Sequence, residues 1–431
     1  MTDTGRPGMF RALGERDFAL LWSGQAVSAL GDGVFSVALI IEVLRVDNRP
    51  IALAYVIAAR AVPSVCLAVV GGVVVDRIQR RLAMLASDVV RGLAVGTISL
   101  LVATGHANLT ELIVMSAVFG AADSFFGPAS MSMVPELLPT DLLTQGNALS
   151  QTTSNLASSL IGPAAGGAIV GFIDTAGSFT ADAVSFAVSA TCLAVMSARP
   201  RPKPRGGSPL ADAREGFAYI RARRWLLVNL IAGGLANFFG MAPFVVLLPL
   251  LVRHVLHASP LALGLVFAVG GAAGAAASLL VARLGSPRPR IIVMWTAYGL
   301  AAAASAVMAA APNVFVVGAL SAAATGLIVY GDVLYVTMMQ ELVPNELRGR
   351  VFSVAFLVAF VLTPLGTLAG GLAATGLGTR TAILLSGCLT GACAFVIFIP
   401  GVRSPAADPA MAGDGPSVTG ACPPSQEPDS S

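Results

Sequence analysis

Asp32 stands between Gly31 and Gly33 in the middle of a long apolar run, Phe18–Leu44. Two further carboxylates, Asp123 and Asp332, and one guanidinium, Arg60, interrupt other runs of the same kind. A carboxylate at the centre of a membrane helix costs roughly 2.5–3.5 kcal/mol on insertion scales, so such groups face a cavity or a partner and are functional by default. The chemistry open to them is reversible protonation. Burial penalises the charged form, whereas a nearby cation favours it. A carboxylate presented to two sides in turn therefore takes up a proton on one and releases it on the other. Asp32 is placed for that role, in a stretch its flanking glycines weaken as a helix. Asn237 is its uncharged counterpart 205 positions later. A structural ion pair is the competing reading of Asp32; for Asp123 and Asp332 it is tight packing among small neighbours. Glu42 and Asp182, near the ends of their runs, are expected to reach water.

The elements that position these groups are membrane helices. Hydrophobic residues make up 56% of the 431 positions and charged residues 11%, with a mean hydropathy of +0.81. A soluble domain carries about 25% charged residues. Twelve runs are long enough to cross about 30 Å of hydrocarbon: Phe18–Leu44, Ile51–Val75, Leu82–Thr104, Leu109–Val134, Leu143–Phe172, Gly177–Ala198, Trp225–Val252, Leu261–Ala282, Ile291–Ala311, Val314–Met339, Val351–Thr375 and Thr381–Pro400. Their continuity and length exclude a β-barrel, whose strands are alternating segments of about ten residues. The fold expected is all-α and integral to the membrane, with twelve transmembrane helices in two pseudo-symmetric six-helix bundles.

Basic residues set the orientation. With the N-terminus in the cytoplasm, twenty fall in inner segments and only Arg45, Arg49, Arg253 and Arg380 in outer ones, as the positive-inside rule requires. Both termini are expected inside, in the cell membrane. The net charge of +3 then reports orientation, and no nucleic-acid partner is implied. The chain divides into a polar N-terminal segment (1–17), a first bundle (18–198), a basic cytoplasmic linker (199–224), a second bundle (225–400) and a Pro/Ser/Gly-rich tail (401–431) expected to be disordered. The linker is expected to be solvated, with a short amphipathic helix from Asp212 along the inner leaflet. No cleavable signal peptide is seen. Trp22, Trp225 and Trp295 lie near inner run ends, where interfacial anchoring is expected. The five cysteines and three histidines show neither a disulfide framework nor metal spacing.

The halves repeat one another. Glu136-Leu137-Leu138-Pro139-Thr140-Asp141-Leu142 matches Glu341-Leu342-Val343-Pro344-Asn345-Glu346-Leu347, and the same offset pairs Gly166 with Gly371. Internal duplication with a site at the interface is how many secondary transporters are built. Between the second and third runs lies Gly72-Val73-Val74-Val75-Asp76-Arg77-Ile78-Gln79-Arg80-Arg81. Its carboxylate suits a helix N-terminus, and its arginines suit acidic groups or anionic headgroups. The fifth run carries Gly162-Pro163-Ala164-Ala165-Gly166-Gly167. Gly162 and Gly166 share a face, which permits close helix approach, and Pro163 removes a backbone hydrogen bond. Simple small-residue packing is the alternative reading of this segment.

The connector resembles the loop joining the second and third helices of major facilitator superfamily transporters. The fifth-run segment is similar to the antiporter motif of drug-export members. With Phe126-Gly127-Pro128-Ala129 and Val134-Pro135-Glu136-Leu137-Leu138-Pro139, the chain resembles the branch of macrolide-efflux and enterobactin-exporter-like proteins from Phe10 to about Pro400. The resemblance implies a conformational latch at Gly72, Asp76, Arg77, Arg80 and Arg81, closing on Gly349–Phe352 and extended by Asp88 and Arg91. Export members often carry an arginine in the fourth helix; Met115–Ser132 has none.

The function expected is secondary active transport by alternating access: efflux of a small amphipathic compound, such as a drug, a macrolide-like metabolite or a siderophore, in antiport with protons. The alternatives are a facilitator or importer, and a non-transporting membrane sensor or scaffold. The proton-coupling and substrate set is Asp32, Arg60, Asp123, Asn237 and Asp332. Expected partners are the small-molecule substrate, protons and membrane lipids, and the chain is expected to act as a monomer. No cofactor, metal or catalytic residue is expected. No phosphate-cradling loop or catalytic triad is present, so the chain reads as no enzyme.

Overall fold

The computed structural model describes residues 9–75, 78–197, 209–284, 287 and 289–399. Among them, twelve helices are long and apolar enough to cross a membrane, and no strand occurs. They are α1 (Arg16–Val46), α2 (Pro50–Leu67, helical as far as Val75), α3 (Arg80–Ala103), α4 (Leu109–Leu137), α5 (Gln145–Phe172), α6 (Thr175–Val195), α7 (Arg224–Val255), α8 (Pro260–Val281), α9 (Arg290–Ala310), α10 (Val314–Leu342), α11 (Leu347–Leu377) and α12 (Thr379–Phe398). All twelve correspond to the sequence runs, with ends shifted by a few residues.

Three helix starts at the end remote from the termini carry side-chain caps for their first free N–H groups. Asn108 and Glu111 form a reciprocal capping box on α4, Asp174 accepts from Gly177 on α6, and Asn313 accepts from Phe315 and Val316 on α10. The first bundle is centred on a ring cluster. Phe35 stacks on Phe119 at 5.3 Å, and Phe179 and Phe186 meet these rings edge-on.

Pro163 is accommodated without interrupting the helical run of α5. A proline ring clashes with the carbonyl four residues back, and the chain absorbs this in a wide π turn, Ala157–Ile161, ending just before Gly162-Pro163. Pro243 in α7 follows the π turn Asn237–Met241 at the same spacing. There the displaced Phe239 carbonyl accepts a 2.6 Å hydrogen bond from Ser386 of α12, so the loss is compensated across helices.

The two bundles meet mainly at the end away from the termini. Thr363–Leu377 of α11 packs on α2, and Gly162–Phe172 of α5 packs on α8. Toward the other end these contacts thin out. There α5 exposes Gln151, Thr152, Ser154 and Asn155. Polar side chains on a membrane helix are costly against lipid, so this face borders an aqueous opening between the bundles.

Two expectations are corrected. Trp225 and Trp295 are not interfacial anchors: both are buried in the second bundle, where Trp295 donates to Asn229 at 2.6 Å and the Trp225 Nε1 has no partner. The linker helix is longer than expected, Pro209–Ala222, and lies against the second bundle. Gly216 abuts the Arg350 backbone, Glu215 pairs with Arg350 at 2.5 Å, and Tyr219 and Ile220 are buried in the second core. Its apolar face finds protein instead of lipid.

Candidate functional site

Helices α1, α2, α3, α4 and α6 bring the charged groups of the first bundle together. Arg91 of α3 is 2% exposed and bridges two carboxylates, Asp88 at 2.5 Å and Asp123 of α4 at 3.1 Å. Ser189 of α6 donates to the other Asp88 oxygen at 2.7 Å. The Arg91 guanidinium also lies over Phe126 and Phe186, with centroids at 4.2 and 4.7 Å. Every charge here has a counter-charge or a π face, as burial demands. Asp88 and Arg91, assigned by resemblance to the latch, thus form one network with Asp123.

That network reaches the opening at one point. The Asp123 side chain is 41% exposed whereas Asp88 is fully buried. A carboxylate exposed at mid-membrane depth faces water, not hydrocarbon.

Asp32 lies within electrostatic reach of Arg60, Arg91, Asp88 and Asp123. It is half-buried, and its Oδ1 is buried without a hydrogen-bond partner. Arg60 of α2 lies 4.3 Å from the Phe119 centroid and forms no ion pair among the described residues. The glycines beside Asp32 do not loosen the helix, which runs unbroken through them. Their reason is packing. A Cβ on Gly31 would strike Asp182 and Ser185 of α6, and one on Gly33 would lie 2.7 Å from Gly162 Cα. Asp32 is therefore clamped between α5 and α6.

Asp182 does not reach water: it is 0% exposed, with Ser185 donating to Oδ1 at 3.1 Å and Oδ2 without a partner. Glu42 is 4% exposed and engaged by Thr175 and Arg45. Position within the run misled both expectations; for Asp182, helix periodicity would not have. Ser178, Asp182, Ser185 and Ser189 recur every three or four residues and are all buried, a polar stripe that packs inward on α1 and α3.

The remaining site residues lie apart. Asp332 of α10 is exposed and accepts a 2.7 Å hydrogen bond from Tyr298 of α9. Asn237 opens the first π turn of α7 and donates to the Ala359 carbonyl of α11 at 2.6 Å, tying two helices of the second bundle. Neither is joined to the Asp32 cluster.

The α5 glycines divide their work. Gly162 and Gly166 lie against α1, where a Cβ on Gly166 would sit 2.8 Å from the Val34 backbone. Gly167 lies against Pro260 and Gly264 of α8, across the bundle interface. In α11, Gly366 and Gly370 do the same against α7, and Gly371 against α2 of the other bundle. The structural equivalent of Gly371 is thus Gly167, not Gly166, a slip of one position. Gly166→Leu is expected to force α5 off α1 and abolish folding or cycling; normal abundance and transport by that variant would mark the motif as incidental packing.

Of the latch residues, Asp76 and Arg77 lie outside the described residues, and Gly72 is described only as part of the helical backbone of α2. Arg80 pairs with Glu136 and the Ser132 carbonyl, and Arg81 with the Met196 carbonyl. Both arginines serve the first bundle in this conformation. Within Gly349–Phe352, at the start of α11, Arg350 pairs with Glu215 of the linker helix. No metal-binding cluster occurs among the described residues.

Twelve spans in two bundles, with buried charge in the first and glycine seams between them, define a secondary-transporter architecture. The chain belongs to the Major Facilitator Superfamily, whose family model matches residues 21–367, and it is a transporter-family protein, not an enzyme. It is 29% identical over 380 residues to the multidrug efflux pump Tap of Mycobacterium tuberculosis, covering 84% of this chain and 89% of the relative. It is 24% identical over 382 residues to macrolide efflux protein A of Streptococcus pyogenes, covering 86% and 93%. A bacterial homologue of the iron transporter ferroportin in an inward-facing state shares the fold, with a TM-score of 0.65 at 17% identity over 88% of this chain and 98% of that one.

Proposed function

We propose that the protein exports a small amphipathic compound in exchange for protons, with Asp32 as the coupling carboxylate. The observation that carries this reading is the unpartnered buried oxygen of Asp32, clamped between α5 and α6 and surrounded by Arg60, Arg91 and Asp123. A buried charged acceptor without a partner is costly, and a proton on that carboxylate removes the charge and so lowers the cost. The arginine that export members often carry in α4 is absent; guanidinium groups reach the same region from α2 and α3. Asp182, a buried carboxylate of the cluster whose Oδ2 also lacks a partner, is a further proton holder. One charge crossing 100 mV contributes about 2.3 kcal/mol, enough to drive a modest concentration gradient.

Direction follows from orientation. With both termini cytoplasmic, as the basic inner segments argue, the opening between the bundles faces the cytoplasm, where an exporter loads. The efflux relatives support the same direction, and their names point to drugs, macrolides among them, as the substrate class. The site of action is the cell membrane, with the chain acting as a monomer. Reporter fusions at Ser431 and after Val46 are expected to report opposite compartments; the same compartment for both contradicts the orientation. In a host lacking its own pumps, the protein is expected to raise resistance to at least one amphipathic drug in a panel that includes macrolides. Unchanged susceptibility across the panel contradicts efflux.

A further inference from the structure

The outer-segment cations are not evenly distributed. A pocket of about 440 Å³ lies where the bundles meet at the end remote from the termini, lined by Leu44, Arg45 and Asn48 of the first half and by Arg253, His254 and His257 of the second. That volume falls within the roughly 300–1,000 Å³ of small-molecule sites. Two of the four outer-segment arginines and two of the chain's three histidines therefore meet at one place.

The carboxylates nearest in sequence are already engaged. Glu42 is buried and held by Thr175 and Arg45, and Asp47 pairs with Arg49 at 2.6 Å. Asp47 lies between membrane spans, and its hydrogen bonds from Arg49 hold its carboxyl below the usual carboxylate range. Arg253 donates to the Ala258 carbonyl and has no ion pair among the described residues. His254 Nε2 is buried without a hydrogen-bond partner. His257 adopts a left-handed backbone conformation, φ 49°, the one non-glycine to do so among the described residues. That conformation closes the C-terminal turn of α7, where the Ala258 N–H donates to the Val252 carbonyl at 2.9 Å.

We propose that this pocket binds an anionic carboxylate or phosphate group carried by a small organic molecule or a lipid headgroup. Arg253 and the two histidines supply the donors, and ionised acceptors form the stronger hydrogen bonds with such groups. Because its walls come from both halves, the pocket exists only while this end is closed, and an occupant fastens that end shut. The inference depends on neither proton coupling nor export, and its test requires no transport.

The full chain, purified in detergent, is titrated with citrate and with inorganic phosphate against chloride at equal ionic strength, and thermal unfolding is followed. A parallel set in phosphatidylcholine vesicles, with and without phosphatidylglycerol, distinguishes a headgroup from a soluble anion. Saturable stabilisation by at least one of these anions is expected. Arg253→Gln and His257→Asn should each weaken it about tenfold or more, the scale of a lost charge-assisted hydrogen bond. Asparagine tolerates the left-handed conformation, so the second variant keeps the turn even if the first fails to fold. Arg49→Gln, whose charge is already matched by Asp47, should leave binding unchanged. Stabilisation no greater than with chloride in every arm, or stabilisation equal in wild type and both pocket variants, overturns the proposal.

Discussion

An Asp32→Asn variant is expected to fold, insert and reach wild-type abundance, yet to lose proton-driven export entirely. Asparagine is nearly isosteric, so the clamp made by Gly31, Gly33, Asp182 and Gly162 stays intact. What disappears is the exchangeable proton. Asp32→Glu keeps the proton but lengthens the side chain in a site without slack, so partial activity is expected. Purified protein checks the point: wild type should exchange protons with the medium on substrate addition, and the asparagine variant should not. Unchanged proton exchange and export by Asp32→Asn would move coupling to Asp123 or Asp182.

Arg91→Ala is expected to have the largest effect on stability. Removing it leaves Asp88, which is fully buried, with only Ser189 as partner. Breaking a buried ion pair from one side costs about 3–5 kcal/mol, whereas replacing both partners by apolar groups is often neutral. That is a large fraction of a typical folding free energy of about 5–15 kcal/mol. Arg91→Ala should therefore lower the detergent unfolding temperature sharply and reduce the amount of monodisperse protein. Asp88→Leu combined with Arg91→Met should recover much of both. Asp123→Asn should cost little stability, since that side chain reaches the opening. An unfolding temperature for Arg91→Ala within error of wild type would show that the network is not structural.

The fold was legible because membrane insertion leaves few options. Twelve apolar runs of sufficient length must be helices, and their number, order and approximate ends follow from composition alone. The charged groups of the first bundle were legible one by one, since any charge at membrane depth needs a reason. Their assembly was not. Arg91 and Asp88 were read through the connector they follow, although helix packing joins them to Asp123 and to Ser189. Asp182 was misjudged for its position in the run, when the serine stripe around it marked a buried face. The glycines beside Asp32 looked like weak points in a helix. They are contact points, a distinction that depends on which helices lie opposite and hence on tertiary structure. The single-residue slip between Gly166 and Gly167 has the same origin: an alignment of apolar sequence carries little register information, whereas the helix each glycine touches fixes its role.

Proton coupling is the central claim, and it is tested most directly in everted membrane vesicles acidified by respiration, with a fluorescent amine reporting the internal pH. Adding an amphipathic drug to which the protein confers resistance is expected to release part of the proton gradient in wild-type vesicles and none in Asp32→Asn vesicles. Drug accumulation in the wild-type vesicles should stop when an ionophore collapses that gradient. Accumulation that continues at the same rate without a gradient, with no drug-induced proton release, would contradict the account.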